Sequence, residues 1–515
     1  MLKKFDCKEQ LYKSYYINFI SAVPRPLLDT LATFTVENQC VHLISKVYDQ
    51  YLNFVALEKD LFQLRYRNKD LISYKLLNSP KTTEADIQKA VSEIVSSLFS
   101  VLVTLGTVPL IRFYRGGAAE IVAKELGNKL TNHLKGYKNL FSGLSGSLVT
   151  FQRPLLILLD RNQDLATLLR HTWTYQALLH DVLHMELNKV IVQSQDSNGT
   201  PSLKSYALDS DSDAFWRKEK YSVLQDVLVA NDEEVKNYSQ QESSTVEGIK
   251  TSDVEKLTSA VNQVSVLRDK KALIEMHTNI LSALMKAVNE RNLNLHFERE
   301  QRCINRERQD KALSLFLQDT KGTPQDKLRV YLVHVLCDAL SDGEKKKCEA
   351  HLHDLGVDLA CTQYINQFKS FGRIAESLSG QTKPAGPAGM LERVTSKIVY
   401  HGTDLLSKGI QNVFPSTLKF PFTKIVDELM DNRGSASEDY GCFDPKLLQQ
   451  SAASRIKSSF SNAIVFVVGG GNLAELHNLQ EYAASCQPIK NIIYGSTELL
   501  AGDEFLQQLS SLAQD

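Results

Sequence analysis

Four stretches of the chain hold residue types that could do chemistry. Gly469-Gly470-Gly471-Asn472 follows an apolar run from Ile464 to Val468 and precedes a helical pattern through Leu473, Leu476, Leu479 and Tyr482. A glycine turn between strand and helix is where backbone N–H groups can cradle a phosphate. This one lacks GxGxxG spacing and has no P-loop lysine. The next strand-like run, Ile492-Ile493-Tyr494, closes with Gly495-Ser496-Thr497 rather than an acid that could hold a ribose. A tight structural turn is the favoured reading. The second stretch is Asp160-Arg161-Asn162-Gln163-Asp164, after the strongest strand-like run, Pro154 to Asp160. α/β enzymes place catalytic groups at such strand ends. Carboxylates bracketing an arginine more commonly make an ion-pair and capping network.

The other two stretches offer metal ligands. His180 and His184 are four apart with Asp181 between them, and could share a helix face. No HExxH pattern surrounds them, and His171 is too loosely spaced to force a third ligand. Cys348, His351, His353 and Cys361 are of the right types for zinc, but not at ordinary finger spacing. No Gly-x-Ser-x-Gly elbow is present. The inventory is poor for a catalyst, so the expectation is a non-enzyme with no cofactor and no metal. A nucleotide-dependent α/β enzyme using Asp160, Asp164 and the Gly469–Asn472 turn stays open as the alternative.

The elements that must position these residues belong to a chain of 515 residues, enough for two to four domains. Hydrophobic content is 43% and charged content 23%, as in ordinary globular proteins. With 59 basic and 60 acidic residues the net charge is −1, so no global field recruits nucleic acid. The most apolar stretch, Ser97 to Ile111, is interrupted by Ser100, Thr104, Gly106, Thr107 and Pro109, and predicts a buried helix end followed by a strand. Eight cysteines without CxxC spacing predict reduced, mostly buried thiols.

Residues 8–56 read as helices, from Leu11, Tyr15 and Phe19 and then Leu43, Val47, Tyr51 and Phe54 at helical spacing. From 57 to 175 strands and helices alternate: Leu71 to Tyr74 strand-like, Ala85 to Leu105 helical, Pro109 to Arg112 strand-like, Ala118 to Leu134 helical. The near-continuous apolar run before Asp160 predicts a central strand covered on both faces. Residues 176–430 read as almost entirely helical, with a surface loop over 193–213 and a solvated helix or linker over 226–257. The end returns to α/β. A helical block between two α/β portions predicts one sheet domain built from separated segments.

Residues 376–389 are rich in Ser, Gly, Pro and Ala, and an amphipathic pattern follows. Leu391, Val394, Ile398, Leu405 and Val413 alternate with Glu392, Arg393, Lys397, Asp404 and Lys408. A tethered helix of this kind can lie on a membrane, close over a groove, or pack permanently on the core.

A set of phrases in order resembles one family. They are Tyr15-Tyr16-Ile17-Asn18-Phe19-Ile20-Ser21, Lys46 to Phe54 (KVYDQYLNF), Leu159-Asp160-Arg161-Asn162 with Asp164-Leu165, His171 to Ala177 (HTWTYQA), and Val465 to Asn472. Together they are similar to the SM (Sec/Munc) family of SNARE regulators, in its ER–Golgi or Sly-type branch, over nearly the whole chain. The resemblance implies an α/β plus all-α protein, an arch of two α/β sheet domains and a large helical insertion. The implied division is 1–56 as a remnant of the syntaxin-binding first domain and 57–175 with 431–515 as the second. The third is 176–430, with a lid over about 376–414. Only a short stretch precedes Tyr15-Tyr16 here, so a shortened first domain is expected.

The family members bind a syntaxin and template SNARE assembly before membrane fusion; they are not enzymes. The implied partners are a syntaxin-type SNARE of the ER–Golgi pathway, vesicle SNAREs, the assembled SNARE complex and tethering factors. The implied location is the cytoplasm, peripherally on ER and Golgi membranes. An SM protein of an endosomal or vacuolar step is the alternative within the family. In the Sly-type branch a phenylalanine of the syntaxin N-terminal peptide enters an apolar pocket, and the matching positions are Leu28, Leu31 and Ala32 on a short helix and Ile44 on the next. Leu391, Val394, Ile398, Leu405 and Val413 match the membrane-binding helix of the lid.

Overall fold

The computed structural model describes residues 12–64, 69–135, 140–141, 153–195, 201–249, 254–307, 311–378, 419–433, 439–447 and 459–514. The chain divides into two compact units. The first is Met1–Asp160 with Ile425–Gly470 and Ser485–Glu498; the second is Arg161–Lys424 with Gly471–Ala484 and Leu499–Asp515.

The first unit opens with β1 (Tyr15–Phe19), the helix Arg25–Glu37 and β2 (Ile44–Asp49). The helical reading of 8–56 holds only for the middle piece. β1 and β2 pair in parallel, Tyr16 opposite Lys46 and Phe19 opposite Asp49. Both segments are rich in the aromatic and β-branched residues that suit a pleated strand, and this outweighed the chance helical spacing of their apolar positions.

β3 (Phe54–Glu58), β4 (Leu61–Leu64), β5 (Leu110–Tyr114), β6 (Leu155–Asp160), β9 (Tyr440–Phe443), β10 (Asn462–Val468) and β11 (Asn491–Ser496) form one sheet. Its order is β3-β4-β11-β10-β6-β5-β9, parallel from β4 to β5 with antiparallel strands at both edges. The expected central strand is β6, buried at every residue between β10 and β5. One face carries Leu156, Leu158, Ile111, Phe113, Ile464 and Phe466 into a core shared with the helices Glu84–Thr104 and Ala118–Lys135. By length and composition the Glu84–Thr104 helix could cross a membrane, yet ten of its residues are buried, eight of them in this core. It starts where the Thr83 hydroxyl accepts the Asp86 N–H, an N-cap. A Cβ on Gly495 would meet the Phe62 ring at 2.2 Å, so glycine is what lets Phe62 stack on Phe466. Leu71–Tyr74 is not a strand: Lys69–Ile72 is a tight helical turn, and Ser73 caps the short helix Tyr74–Asn78. Its serine hydroxyl satisfies an N–H that a strand would leave to a neighbour.

The second unit is mostly helical, as expected. Part of the predicted loop over 193–213 is instead a hairpin of β7 (Lys189–Gln195) and β8 (Pro201–Ala207). Val190 and Val192 face inward and Ile191 outward, an alternation that the Ser- and Asp-rich surroundings obscured. The long helices Leu224–Ile249 and Val254–Arg291 follow. Cys303, Cys348 and Cys361 are free and buried, whereas Cys337, Cys442 and Cys486 are free and half-buried and Cys40 is disulfide-bonded, so the thiol expectation holds in part.

Candidate functional site

The glycine turn is closed to a phosphate. Gly469 and Gly470 take φ of 94° and 103°, and all four residues of the turn are buried. The Gly470 N–H donates to the Thr497 hydroxyl at 2.9 Å, so a donor that would cradle an anion is already used by the fold. Asn472 Oδ1 accepts the Ala474 N–H at 2.6 Å at the start of the helix Leu473–Ser485. The structural turn is the reading the geometry supports.

The acidic stretch after β6 takes part in an ion-pair and capping network that includes Glu475. Arg161, fully buried, pairs at 2.7 Å with the equally buried Glu475, and its guanidinium lies over the Phe422 ring. Asp164 accepts the Thr167 N–H and hydroxyl as a local cap. Asp160 lies against Gly117, where a Cβ would meet its Oδ2 at 2.4 Å.

His180 and His184 do not share a face. The helix Tyr175–Leu183 ends first, His184 adopts φ 50°, and one imidazole is buried while the other is exposed. Asp181 is held by the Arg329 guanidinium at 2.9 Å. Burial alone would raise its carboxyl, but Arg329, His171 and the Gly502 N–H hold it below the usual range. Cys348 and Cys361 are buried on two different helices, and among the described residues they do not belong to any group of ligands close enough for one ion.

What remains is the surface around the helix Arg25–Glu37. Pro24 precedes it and Pro26 sits in its first turn, where fixed φ and a missing N–H cost nothing. Val23 N–H donates to Asp49 Oδ1 at 3.1 Å, tying the entry of the helix to the end of β2. Leu28 and Leu31 are half-buried, Ala32 is exposed, and Thr35 is the one buried residue of the helix. Ile44, expected on a second helix, is the half-buried first residue of β2. These four are not the domain's own closed core.

The same helix and β2 also carry exposed apolar side chains. Leu27, Val36, Val47 and Tyr48 are 47%, 64%, 40% and 40% exposed. Val47, at helical spacing from Leu43 and Tyr51, lies on a strand, and its strand-forming neighbours are the signal. The lid positions Leu391, Val394, Ile398, Leu405 and Val413 lie outside the described residues.

A model of the Sec1 family matches residues 1–508. The human Sec1 family domain-containing protein 1 is 39% identical over 543 residues, covering 99% of this chain and 84% of its own length. The Arabidopsis thaliana SEC1 family transport protein SLY1 is 33% identical over 527 residues, covering 99% of this chain and 82% of its own. Among solved structures the chain is similar to Sly1p in complex with an N-terminal peptide of Sed5p. The TM-score is 0.77 at 28% identity, over 99% of this chain and 82% of that one. The SM protein Vps45 in complex with the Qa SNARE Tlg2, at TM-score 0.71 and 21% identity over 100% of this chain and 84% of that one, shares the fold. With a buried glycine turn, an internally paired strand-end network and relatives matched along its length, this chain belongs to the Sec1 family, in its Sly-type branch.

Proposed function

We propose that this chain binds a syntaxin-type SNARE and templates SNARE assembly for vesicle docking and fusion in ER-to-Golgi and intra-Golgi transport, working at the cytoplasmic face of those membranes. The observation that carries the reading is the similarity, over 99% of the chain, to Sly1p holding an N-terminal peptide of Sed5p. The peptide site would be built on Leu28, Leu31, Ala32 and Ile44. In favour of this are their partial exposure, their place on one helix and the adjoining strand, and the small Ala32 beside two leucines. A phenylalanine covered there would contribute roughly 1.5–3 kcal/mol.

Fluorescence anisotropy with the labelled N-terminal peptide of an ER–Golgi syntaxin tests this. Saturable binding, weakened roughly 10- to 150-fold when the peptide phenylalanine becomes alanine, is expected. No binding to a chain that unfolds cooperatively would remove the peptide mode.

The segment 376–414 would act as a lid over a vesicle-SNARE groove and as a membrane contact, through Leu391, Val394, Ile398, Leu405 and Val413. Deleting 385–413 is expected to speed reconstituted SNARE assembly and to weaken flotation with small vesicles. Unchanged flotation and unchanged fusion rates would sink the lid.

A further inference from the structure

We infer that His171, His296 and Asp326 supply three of the four ligands of a zinc site inside the helical unit, with a water as the fourth. His296 projects from the helix Leu293–Ile304, and Asp326 stands in the first turn of the helix Pro324–Leu336. Each of the three offers a ligand atom within 4.8 Å of the others, and all are buried.

Three observations point to an ion. The first is His296. It is 0% exposed, and neither of its ring nitrogens has a hydrogen-bond partner. A buried polar group left in this state costs about 1–3 kcal/mol, and folded proteins keep few of them without an ion, a water or a role to account for each. The fold nonetheless makes room for this ring. Gly322 lies beside it at φ 135°, where a Cβ would meet His296 Cε1 at 2.5 Å. The rings of His171 and Phe316 pack against it at centroid distances of 5.3 and 6.0 Å.

The second is the way His171 is held. Glu300 accepts its backbone N–H at 2.7 Å and sits 2.8 Å from its Nδ1. A carboxylate on Nδ1–H fixes the tautomer that presents Nε2 as a ligand, the outer-shell arrangement common to metal-bound histidines. The third is spacing. His171 Nε2 lies 3.2 Å from Asp326 Oδ1, close to the ligand-to-ligand separation of about 3.3 Å that follows from tetrahedral bonds of about 2.0–2.1 Å. Asp326 is oriented by Arg291, whose Nε donates to Oδ2 at 3.0 Å and Nη2 to Oδ1, and by the Thr323 N–H at 2.9 Å.

Two imidazoles and a carboxylate suit zinc better than the hard cations, which prefer oxygen alone. Binding exchanges one ion for one proton: zinc bonds to His171 Nε2 as the proton shared toward Asp326 leaves to solvent, and nothing is oxidised. The ion would join two helices and the segment of His171, a role separate from SNARE binding.

The test is metal content after expression in zinc-supplemented medium and extensive dialysis, with His296→Phe beside the wild type. The phenylalanine keeps the ring packing and removes both donors. Stoichiometric zinc in the wild type and its loss from the variant are expected, with a chelator lowering the thermal midpoint of the wild type alone. A wild type that holds no zinc even after refolding with it overturns the site, as does a variant that retains it. If the variant does not fold, cobalt reconstitution of the wild type decides. Visible d–d bands without thiolate charge transfer support the assigned ligands, and thiolate bands place the ion on cysteines instead.

Discussion

Replacing Arg329 by methionine will destabilise the helical unit by about 3–5 kcal/mol, a large part of the roughly 5–15 kcal/mol that holds an ordinary domain together. Arg329 is wholly buried in the helix Pro324–Leu336. Its guanidinium donates to Leu169 O at 2.7 Å, Arg170 O at 3.0 Å and Asp181 Oδ2 at 2.9 Å, and Gly502 lies so close that a Cβ there would meet its Cζ at 2.3 Å. Methionine fills much of the volume, but leaves two carbonyls and a buried carboxylate without their donor. The chain has two tryptophans, Trp173 and Trp216, both in this unit, so their fluorescence during urea unfolding reports it selectively. Adding Asp181→Leu to Arg329→Met is expected to recover part of the loss, since removing both charges avoids a buried unpaired one. An unshifted midpoint for the single variant would contradict the prediction.

The same pairing sets an acid limit. Burial alone would raise Asp181, but Arg329 and its other partners hold the carboxyl low; in the sheet unit Arg153 does the same for Asp444, against burial. A carboxylate whose folded pKa lies below its unfolded value, about 3.9 for aspartate, stabilises fully above that value. The stabilisation is lost as pH falls through the folded pKa. Burial also holds His334 and His477 well below the ordinary imidazole range, so urea midpoints should begin to fall below about pH 6.5 and fall further below about pH 5 as these carboxylates are lost.

The second large effect is functional. Leu31→Arg is expected to abolish binding of the syntaxin N-terminal peptide while leaving the urea midpoint of the helical unit unchanged. Leu31 is half-buried on the helix Arg25–Glu37, between Leu28 and the buried Thr35 on the same face. Arginine there removes the apolar contact to a peptide phenylalanine, worth roughly 1.5–3 kcal/mol, and sets a charge where the ring would enclose it. The combined loss exceeds roughly 100-fold. Ala32→Leu, which fills the space beside the leucines, should weaken the peptide in the same direction. Normal binding by both variants would move the peptide to another surface.

Much of the sheet and of the helical unit could be read from residue order. The run before Asp160 is apolar at every position, and a strand with that pattern must be covered on both faces, so β6 at the sheet centre followed from composition alone. The helices Glu84–Thr104 and Ala118–Lys135 were legible because periodicity over many residues leaves little choice of element. The first 56 residues were not. Tyr15–Phe19 and Ile44–Asp49 are too short for periodicity to separate strand from helix, and pairing across some thirty residues decided it.

The sequence by itself determined the family, through phrases scattered along its length. Only the tertiary structure decided which polar groups meet. Arg161 reaches Glu475, 314 residues away. His171, His296 and Asp326 converge from three separate segments. Local spacing constrains residues within a turn or two, whereas burial must satisfy every charge and imidazole with whatever the fold brings alongside.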